Sequence, residues 1–249
     1  MRITVIGCSG SFPGPASPAS CYLVEAGGFR LLLDLGNGAL GALQNHAPLD
    51  GIGAVCLSHL HGDHCLDMCS YAVARTYAPG GAMPPLPVWA PAGAAERLAR
   101  AQGTNISDGI TRSFAFRELA PGTRQIGPFE VTTAHVNHSV EAFGFRIAAD
   151  GKVLAYSADT GESPALVKLA AGADLMLCEA SFVEGDPNPP GVHLTGRQAA
   201  QHAAQAGAGH LVLTHLVPWN DRERSRAEAA AAFGGELSLA TSGLVIDLG

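Results

Sequence analysis

Short apolar runs separated by turn-forming residues dominate the pattern of hydrophobic and polar positions along the chain. In the first third, each run is rich in Val, Leu and Ile and is bounded by Gly, Pro or Ser, which is typical of strands buried on at least one face. The pattern predicts four strands here, with the sequences RITVIG, CYLVEA, FRLLLDLG and GAVCLSH. The segment NGALGALQNHA predicts a short helix between the last two strands. The segment HCLDMCSYAVARTYA predicts a longer helix that ends at PGGAMPP.

The second half of the chain repeats this alternation. Six strands are predicted, at FEVTTAHV, FGFRIAA, KVLAYSADT, DLMLCEASF, HLVLTHL and SGLVIDL. Three helices are predicted, at SPALVKLAAGA, TGRQAAQHAAQAG and DRERSRAEAAAAFG, and two of them begin at the N-cap candidates Ser163 and Thr195. Pairs of strands followed by strand–helix units favour an α/β fold with two sheets and helices outside them, an αββα sandwich.

Length and composition restrict the class of protein. A chain of 249 residues is long enough for a large core, and we expect one domain over residues 1–249. Each apolar run ends well short of the roughly 18 to 20 residues that span a bilayer. The N-terminal segment MRITVIGCSGSFPG lacks the apolar core of a secretory signal. We therefore expect a cytoplasmic protein without a membrane span, and six reduced cysteines, since no C-x-x-C pair occurs.

The charge balance bears on the partners. The formal net charge is −7 and the pI is about 5.7, which argues against binding nucleic acid over a broad basic surface. A small phosphorylated substrate held by metal ions remains compatible with this charge. Solubility alone is the other explanation for the acidic excess.

Side chains that can bind metals follow four separated strands. A single His at a strand end is usually structural, but here the set comprises His59, His61, Asp63, His64, His138, Asp159 and His215. In HLHGDH, the first two His can face one cation, and Asp63 and His64 can face a second one beyond the turn at Gly62. Imidazole ligands suit Zn²⁺, and the carboxylates also admit Mn²⁺ or Fe²⁺. The pattern therefore predicts a site for two metal ions.

These motifs resemble those of the metallo-β-lactamase-fold hydrolases, in their ribonuclease Z-like branch. The resemblance is carried by H-x-H-x-D-H, a His before AFGFR, an Asp in YSADT and a His in LTHL, in that order, and it spans essentially the whole chain. Within the branch, bacterial cyclic-nucleotide phosphodiesterases are the most similar, through segments such as LDLGNGALGALQ, LCEASF, HLTGRQAA and LTHLVPW. The resemblance implies two divalent ions, with Zn²⁺ favoured, and a possible homodimer.

The resemblance also assigns roles to single residues. It implies that His59, His61 and His138 bind one metal, that Asp63, His64 and His215 bind the other, and that Asp159 bridges them. His135 competes with His138, which is favoured because the family places this ligand five residues before the Phe of the AFG segment, here Phe143.

The resemblance also implies roles for a pair of polar residues outside the ligand set. Glu179 in CEASF orients His193 in HLT, and this His reaches the scissile phosphate. The carboxylate keeps the imidazole protonated, so that His193 can stabilise charge or donate a proton to the leaving oxygen. The alternative is that the pair only joins a loop to a strand.

Phosphodiester hydrolysis is the expected reaction. We expect a 3′,5′-cyclic nucleotide such as cyclic AMP to be cleaved to the 5′-nucleotide by a hydroxide between the two metals, with Asp63 as its orienting group or proton acceptor and His193 assisting the ribose 3′ oxygen. One alternative is a ribonuclease Z-type tRNA 3′ endonuclease, which the twenty residues between His138 and Asp159 disfavour because they leave no room for a basic arm. Hydrolysis of another ester, a lactone or a thioester is a second alternative, and a catalytically inactive binding module is a third.

Two further segments have open roles. The Pro-rich segment RTYAPGGAMPPLPVWAP, residues 75–91, is interpreted as a lid over the site or a dimer contact. Trp219 and Asn220 follow the last ligand candidate and are candidates for the pocket wall, where the Trp ring is suited to stack on a base. Half-buried packing of that ring is the equally favoured alternative.

Overall fold

The computed structural model describes residues 1–106 and 109–249. Its strands are β1 (Arg2–Gly7), β2 (Cys21–Ala26), β3 (Phe29–Leu33), β4 (Ala54–Cys56), β5 (Leu86–Ala90), β6 (Phe114–Glu118), β7 (Gly122–Ile126), β8 (Phe129–His135), β9 (Phe143–Ala149), β10 (Lys152–Tyr156), β11 (Leu175–Glu179), β12 (His210–Thr214), β13 (Glu236–Leu239) and β14 (Val245–Asp247). Its α-helices are α1 (Ala39–Leu43), α2 (Gly62–Cys65), α3 (Asp67–Thr76), α4 (Ala94–Gln102), α5 (Ile110–Ser113), α6 (Pro164–Leu169), α7 (Gly196–Ala206) and α8 (Arg222–Ala230), and a 3₁₀ turn covers Leu49–Gly51.

In the described part of the chain these strands form two sheets of seven. The first sheet has the order β14-β1-β2-β3-β4-β5-β6 and the second has the order β13-β12-β11-β10-β9-β8-β7. In each sheet, antiparallel strands are followed by a parallel set, which is β3 to β6 in the first sheet and β10 to β13 in the second. Parallel strands end at the same edge of a sheet, so the loops after β4, β10 and β12 can be brought together.

The core lies between the two sheets. Side chains such as Tyr22, Leu33, Phe145 and Tyr156 fill this layer and are essentially inaccessible to water. Outside the first sheet, a second apolar layer packs against α1, α3 and α4, and outside the second sheet a third layer packs against α6, α7 and α8. The predicted αββα sandwich is confirmed.

Several helix boundaries differ in detail from the predictions. The helix that was predicted after the histidine cluster is divided in two at Leu66, where α2 ends and α3 begins. Thr195 caps α7 in a capping box with Gln198, as its position predicted. Ser163 makes no side-chain cap on α6; its backbone N–H instead donates to Nε2 of His202 at 3.0 Å.

Part of the Pro-rich segment belongs to the first sheet. Its residues 86–90 form β5, between β4 and β6, so the interpretation as a lid or dimer contact is wrong for these five residues and stays a prediction for the loop before them. The preceding loop is held to the end of α3, because the Arg75 guanidinium donates to the carbonyl of Pro84 and the Met83 N–H donates to the carbonyl of Arg75 at 2.9 Å. None of the helices in residues 1–106 and 109–249 has the length and hydropathy that a membrane crossing requires.

Candidate metal centre

Loops from both sheets converge at one edge of the sandwich and bring the seven predicted ligand candidates together. The structure groups His59, His61, His138 and Asp159 around one point, and Asp63, His64, Asp159 and His215 around a second. Within each group, one potential ligand atom of each residue lies within 4.8 Å of those of the others. Asp159 belongs to both groups, so its carboxylate lies between the two points.

Nitrogen atoms of neighbouring imidazoles face each other in this cluster. Nε2 of His59 lies 3.1 Å from Nδ1 of His61, and Nε2 of His138 lies 3.2 Å from the same atom. In the second group, the Nε2 atoms of His64 and His215 lie 3.2 Å apart. Such short distances are unfavourable between two lone pairs and become favourable when a cation lies between them.

The outer nitrogens of four rings have hydrogen-bond acceptors, and these acceptors set the tautomers. Nδ1 of His64 donates to Oδ2 of Asp34 at 2.8 Å, and Nδ1 of His138 donates to the carbonyl of Val192 at 2.8 Å. Nδ1 of His59 and Nδ1 of His215 donate to serine hydroxyls, at 3.0 Å and 2.6 Å respectively, which are those of Ser58 and Ser181. With the proton on Nδ1, each ring turns an unprotonated Nε2 towards the cluster, as metal-binding histidines do.

Asp159 gives an independent indication that the site fits a cation. Its Oδ1 is buried and makes no hydrogen bond, although it lies 3.1 Å from Nε2 of His64 and 3.4 Å from Nε2 of His215. Burial raises the pKa of Asp159, but the imidazoles around it outweigh burial and hold this pKa well below its usual range. An ionised oxygen without a partner costs free energy in the interior. The donor set of imidazole nitrogens and carboxylate oxygens therefore fits divalent cations such as Zn²⁺, Mn²⁺ or Fe²⁺.

His135 lies apart from the cluster. It is exposed at the end of β8, and its ring packs on that of Phe143 with centroids 4.5 Å apart. The ligand candidate of this segment is His138, whose side chain is only 1% exposed.

Asp34 is a functional residue that the sequence analysis missed. It follows β3 and is fully buried, and its carboxylate accepts hydrogen bonds from the backbone N–H of Ser58 at 2.6 Å, from the Ser58 hydroxyl at 2.8 Å, from Nδ1 of His64 at 2.8 Å and from the hydroxyl of Tyr156 at 2.7 Å. Asp34 thus orients a ligand candidate on each side of the cluster, His64 directly and His59 through Ser58. The available signal was an acidic residue directly after the apolar strand FRLLL.

Tight backbone contacts hold the loops of the site in place. A Cβ atom on Gly36 would lie 1.9 Å from the carbonyl oxygen of Asp63, and one on Gly10 would lie 2.3 Å from that of His215. Any side chain larger than hydrogen would push the ligand loops apart at these two positions.

Left-handed backbone conformations also concentrate around the site. Asp34, Ala158 and His215 have φ angles of 61°, 54° and 53°, although only glycine adopts this region without strain. Such conformations persist where the surrounding structure enforces them, which is common at functional sites.

Glu179 and His193 lie together beside the cluster. Oε1 of Glu179 accepts from Nδ1 of His193 at 2.7 Å, and the buried carboxylate also accepts from the backbone N–H groups of Thr160 and Ser181. Burial lowers the pKa of His193, but the Glu179 carboxylate outweighs burial and raises this pKa to about 9. The His193 ring centroid lies 5.3 Å from that of His138 and 5.5 Å from that of His215. A protonated imidazole is thus held beside both groups of ligand candidates.

Comparison with known proteins identifies the family of this chain. The model of the beta-lactamase superfamily domain matches residues 29–216. An uncharacterized protein of Mycobacterium tuberculosis is 44% identical over 243 residues, which cover 94% of this chain and 88% of that protein. The probable metallo-hydrolase YhfI of Bacillus subtilis is 31% identical over 98% of this chain and 99% of its own length. A ribonuclease Z of Mycobacterium marinum is 30% identical over 96% of this chain and 95% of its own length.

Solved structures share the fold over the whole chain. The crystal structure of YhfI, a metallo-β-lactamase fold protein, matches with a TM-score of 0.88 at 29% identity and covers 99% of both chains. The short form of human tRNase Z matches with a TM-score of 0.80 over 100% of both chains, at 22% identity, which shows a common fold alone. The chain therefore belongs to the β-lactamase superfamily, has the metallo-β-lactamase fold, and is a metallo-hydrolase of that superfamily.

Proposed function

We propose that this metallo-hydrolase cleaves a 3′,5′-cyclic nucleotide to the 5′-monophosphate. The observation that carries the proposal is the His193–Glu179 pair, which sets a protonated imidazole beside the metal cluster and at the wall of a small cavity. A phosphodiester needs positive charge on its non-bridging oxygens and a proton for its leaving oxygen, and the cluster and this pair are suited to supply both.

The size of the cavity favours a mononucleotide. Its volume is about 280 Å³, which is near the lower end of the roughly 300 to 1,000 Å³ that is typical of small-molecule sites. The residues that line it include Ser11, Ser181, His193, Trp219 and Asn220. A cyclic phosphate at His193 thus leaves room for one nucleoside.

Each group near the reacting phosphate has a distinct role in the proposed reaction. Divalent ions held by the seven His and Asp side chains would supply positive charge and lower the pKa of water. Asp63 is assigned to orient the attacking water or accept its proton. Burial raises the pKa of Asp63, but neighbouring imidazoles outweigh burial and hold this pKa far below its usual value, which favours the orienting role because a carboxylate of low pKa is a weak base. His193 donates a proton to the ribose 3′ oxygen as the bond from phosphorus to that oxygen breaks. Glu179 keeps His193 protonated and fixes the direction of its ring.

A tRNA 3′ endonuclease is the second candidate, and the 30% identical ribonuclease Z of Mycobacterium marinum is the observation in its favour. Two features disfavour it. The strands β9 and β10 are joined by the two-residue turn Asp150–Gly151, which leaves no arm between His138 and Asp159. The net charge of −7 also opposes tight binding of a polyanion.

The test is a direct comparison of substrates. The purified protein, loaded with Zn²⁺ or with Mn²⁺, is incubated with cyclic AMP and separately with a precursor tRNA, and the products are separated by chromatography. We expect 5′-AMP from cyclic AMP, its loss in Asp159→Ala, and its retention in the matched control His135→Ala.

Other products would correct the proposal in specific ways. Formation of 3′-AMP would show that the 5′ oxygen leaves instead of the 3′ oxygen. Trimmed tRNA with intact cyclic AMP would replace the proposal with the endonuclease. The variant His193→Ala is expected to lower kcat by about 10²- to 10⁴-fold, the usual contribution of a general acid, while Zn²⁺ binding is retained.

A further inference from the structure

A large aromatic side chain lies exposed next to the candidate active site. Trp219 is 75% exposed, although an indole ring in contact with water loses the free energy that its burial would give. It follows His215 by four residues and lines the same cavity as His193. The alternative of half-buried packing therefore does not describe this ring.

The ring of Trp219 packs against a second aromatic side chain. Its centroid lies 4.7 Å from that of Phe12, at an interplanar angle of 41°. Phe12 belongs to the loop between β1 and β2, which is joined to the Trp219 segment by hydrogen bonds from the Gly10 N–H to the Leu216 carbonyl at 3.1 Å and from the Leu216 N–H to the Cys8 carbonyl at 3.2 Å. These hydrogen bonds thus fix the position of the aromatic pair relative to His215 and the other ligand candidates.

Polar groups line the cavity that Trp219 shares with His193. Ser11, Asp186, Asn188 and Asn220 line the same cavity. The amide nitrogen of Asn220 donates to the Ser181 carbonyl at 2.8 Å, which anchors its carboxamide beside the residue that supports His215. An aromatic face with hydrogen-bonding groups at its rim matches a purine or pyrimidine, which has a flat π-surface and a polar edge.

We propose that Trp219, backed by Phe12, forms the nucleobase subsite of the active site, where the base of a single nucleotide stacks while its phosphate lies at His193. This inference rests on the proposed function, because it specifies which part of a nucleotide each side of the cavity binds. It makes the enzyme selective for nucleotides over diesters that lack a base.

The first test is a binding measurement that needs no turnover. The chain has two tryptophans, and the other one, Trp89, is buried, so a stacked base is expected to quench mainly the fluorescence of Trp219. The metal-loaded protein is titrated with 5′-AMP and, in parallel, with ribose 5-phosphate. We expect quenching by 5′-AMP and at least about tenfold weaker binding of ribose 5-phosphate, the scale of a stacked base.

Variants then separate stacking from a structural role. In Trp219→Ala, the ratio of kcat/KM for cyclic AMP to that for ribose 3′,5′-cyclic phosphate is expected to fall about tenfold, mainly through KM for cyclic AMP. Trp219→Phe, which keeps a flat ring, is expected to restore most of the ratio. Tyr77→Ala is the matched control, because Tyr77 is an aromatic residue that is 80% exposed outside this cavity.

The outcomes distinguish this inference from the proposed function. Hydrolysis of cyclic AMP with an unchanged ratio and no quenching would overturn the nucleobase subsite and leave the reaction standing. Quenching by 5′-AMP without hydrolysis of cyclic AMP would support the subsite and overturn the reaction. A protein that is dimeric with Trp219 and monomeric in Trp219→Ala would place this ring in an interface between subunits and would also overturn the subsite.

Discussion

The substitution Asp34→Asn tests how strongly a residue outside the ligand set controls the metal centre. Asn has almost the same shape as Asp, so the change removes the negative charge and exchanges one acceptor oxygen for an NH₂ donor. In the protein, Oδ1 of Asp34 accepts one hydrogen bond, from the Ser58 N–H, and Oδ2 accepts three, from the Ser58 hydroxyl, His64 and Tyr156. The amide orientation of lower free energy therefore keeps the oxygen at the Oδ2 position and places the NH₂ group against the Ser58 N–H.

The expected loss follows from these four bonds. One buried N–H loses its acceptor, which costs about 1–3 kcal/mol, and three bonds change from charged to neutral, each weaker by about 1 kcal/mol. Relief of the buried charge offsets part of this sum, so we expect the free energy of unfolding to fall by about 2–4 kcal/mol. Because the hydrogen bonds that orient His64 directly and His59 through Ser58 become weaker, the affinity for divalent metal is expected to fall about 10- to 100-fold.

The assay combines metal competition and unfolding. The affinity for Zn²⁺ is measured against a chromophoric chelator, and the free energy of unfolding is measured in urea with and without metal. Asp174→Asn is the matched control, because its carboxylate also accepts a backbone hydrogen bond, from Val153 at 2.8 Å, but contacts no ligand candidate. Wild-type Zn²⁺ affinity in a folded Asp34→Asn protein would refute the reasoning, and so would an equal loss in both variants.

Three further predictions concern single side chains. His138→Ala is expected to weaken Zn²⁺ binding, measured by calorimetric titration, by more than the roughly 10- to 100-fold that is typical of residues behind the ligands. His135→Ala is expected to leave Zn²⁺ binding unchanged, and equal losses in the two variants would contradict the assignment of His138 as the ligand. The pKa of His193, about 9, exceeds its usual value of about 6.5, so in metal-free protein the contribution of the Glu179 pair to stability is complete below about pH 6.5 and is lost as the pH rises through about 9. The difference in the free energy of unfolding in urea between wild type and Glu179→Gln should therefore shrink over this pH range. A difference that stays constant would argue against a stabilising ion pair between His193 and Glu179. Thr195→Ala removes the cap of α7 and is expected to lower the free energy of unfolding by about 1 kcal/mol without changing Zn²⁺ affinity; an unchanged urea midpoint would argue against the cap.

The apolar strands could be predicted from the sequence because burial imposes their pattern. Each of the predicted strands corresponds to a strand in the structure, with ends shifted by a few residues. The ligand candidates could be found because they follow these strands. Their convergence was inferred from a resemblance, since no local pattern specifies which strand ends meet.

Other elements were missed for physical reasons. The strand β5 contains Pro87, and proline usually argues against an interior strand. Here the pairing with β4 begins only at Val88, so that pairing loses no hydrogen bond. The edge strand β7 has the sequence GTRQI, which is too polar to stand out as a strand.

Asp34 was missed because its importance depends on distant contacts. Its partner Tyr156 lies 122 residues away along the chain and His64 lies 30 residues away. A single acidic residue after a strand gives no sign of such partners. The exposure of Trp219 was equally hidden, because a sequence does not show whether an aromatic residue after a strand turns inwards or outwards.

The order in which the chain is synthesised bears on when the centre can exist. His59, His61, Asp63 and His64 precede the other ligand candidates in the chain, but Nε2 of His64 meets its counterpart from His215, 151 residues later. A nascent chain that ends before β12 therefore carries six of the seven candidates and lacks the strand that completes the second group. Because domains generally fold as units during synthesis, hydrolytic capacity arises only after the second sheet has formed. The topology thus delays activity until β12 and the loop that carries His215 have been translated.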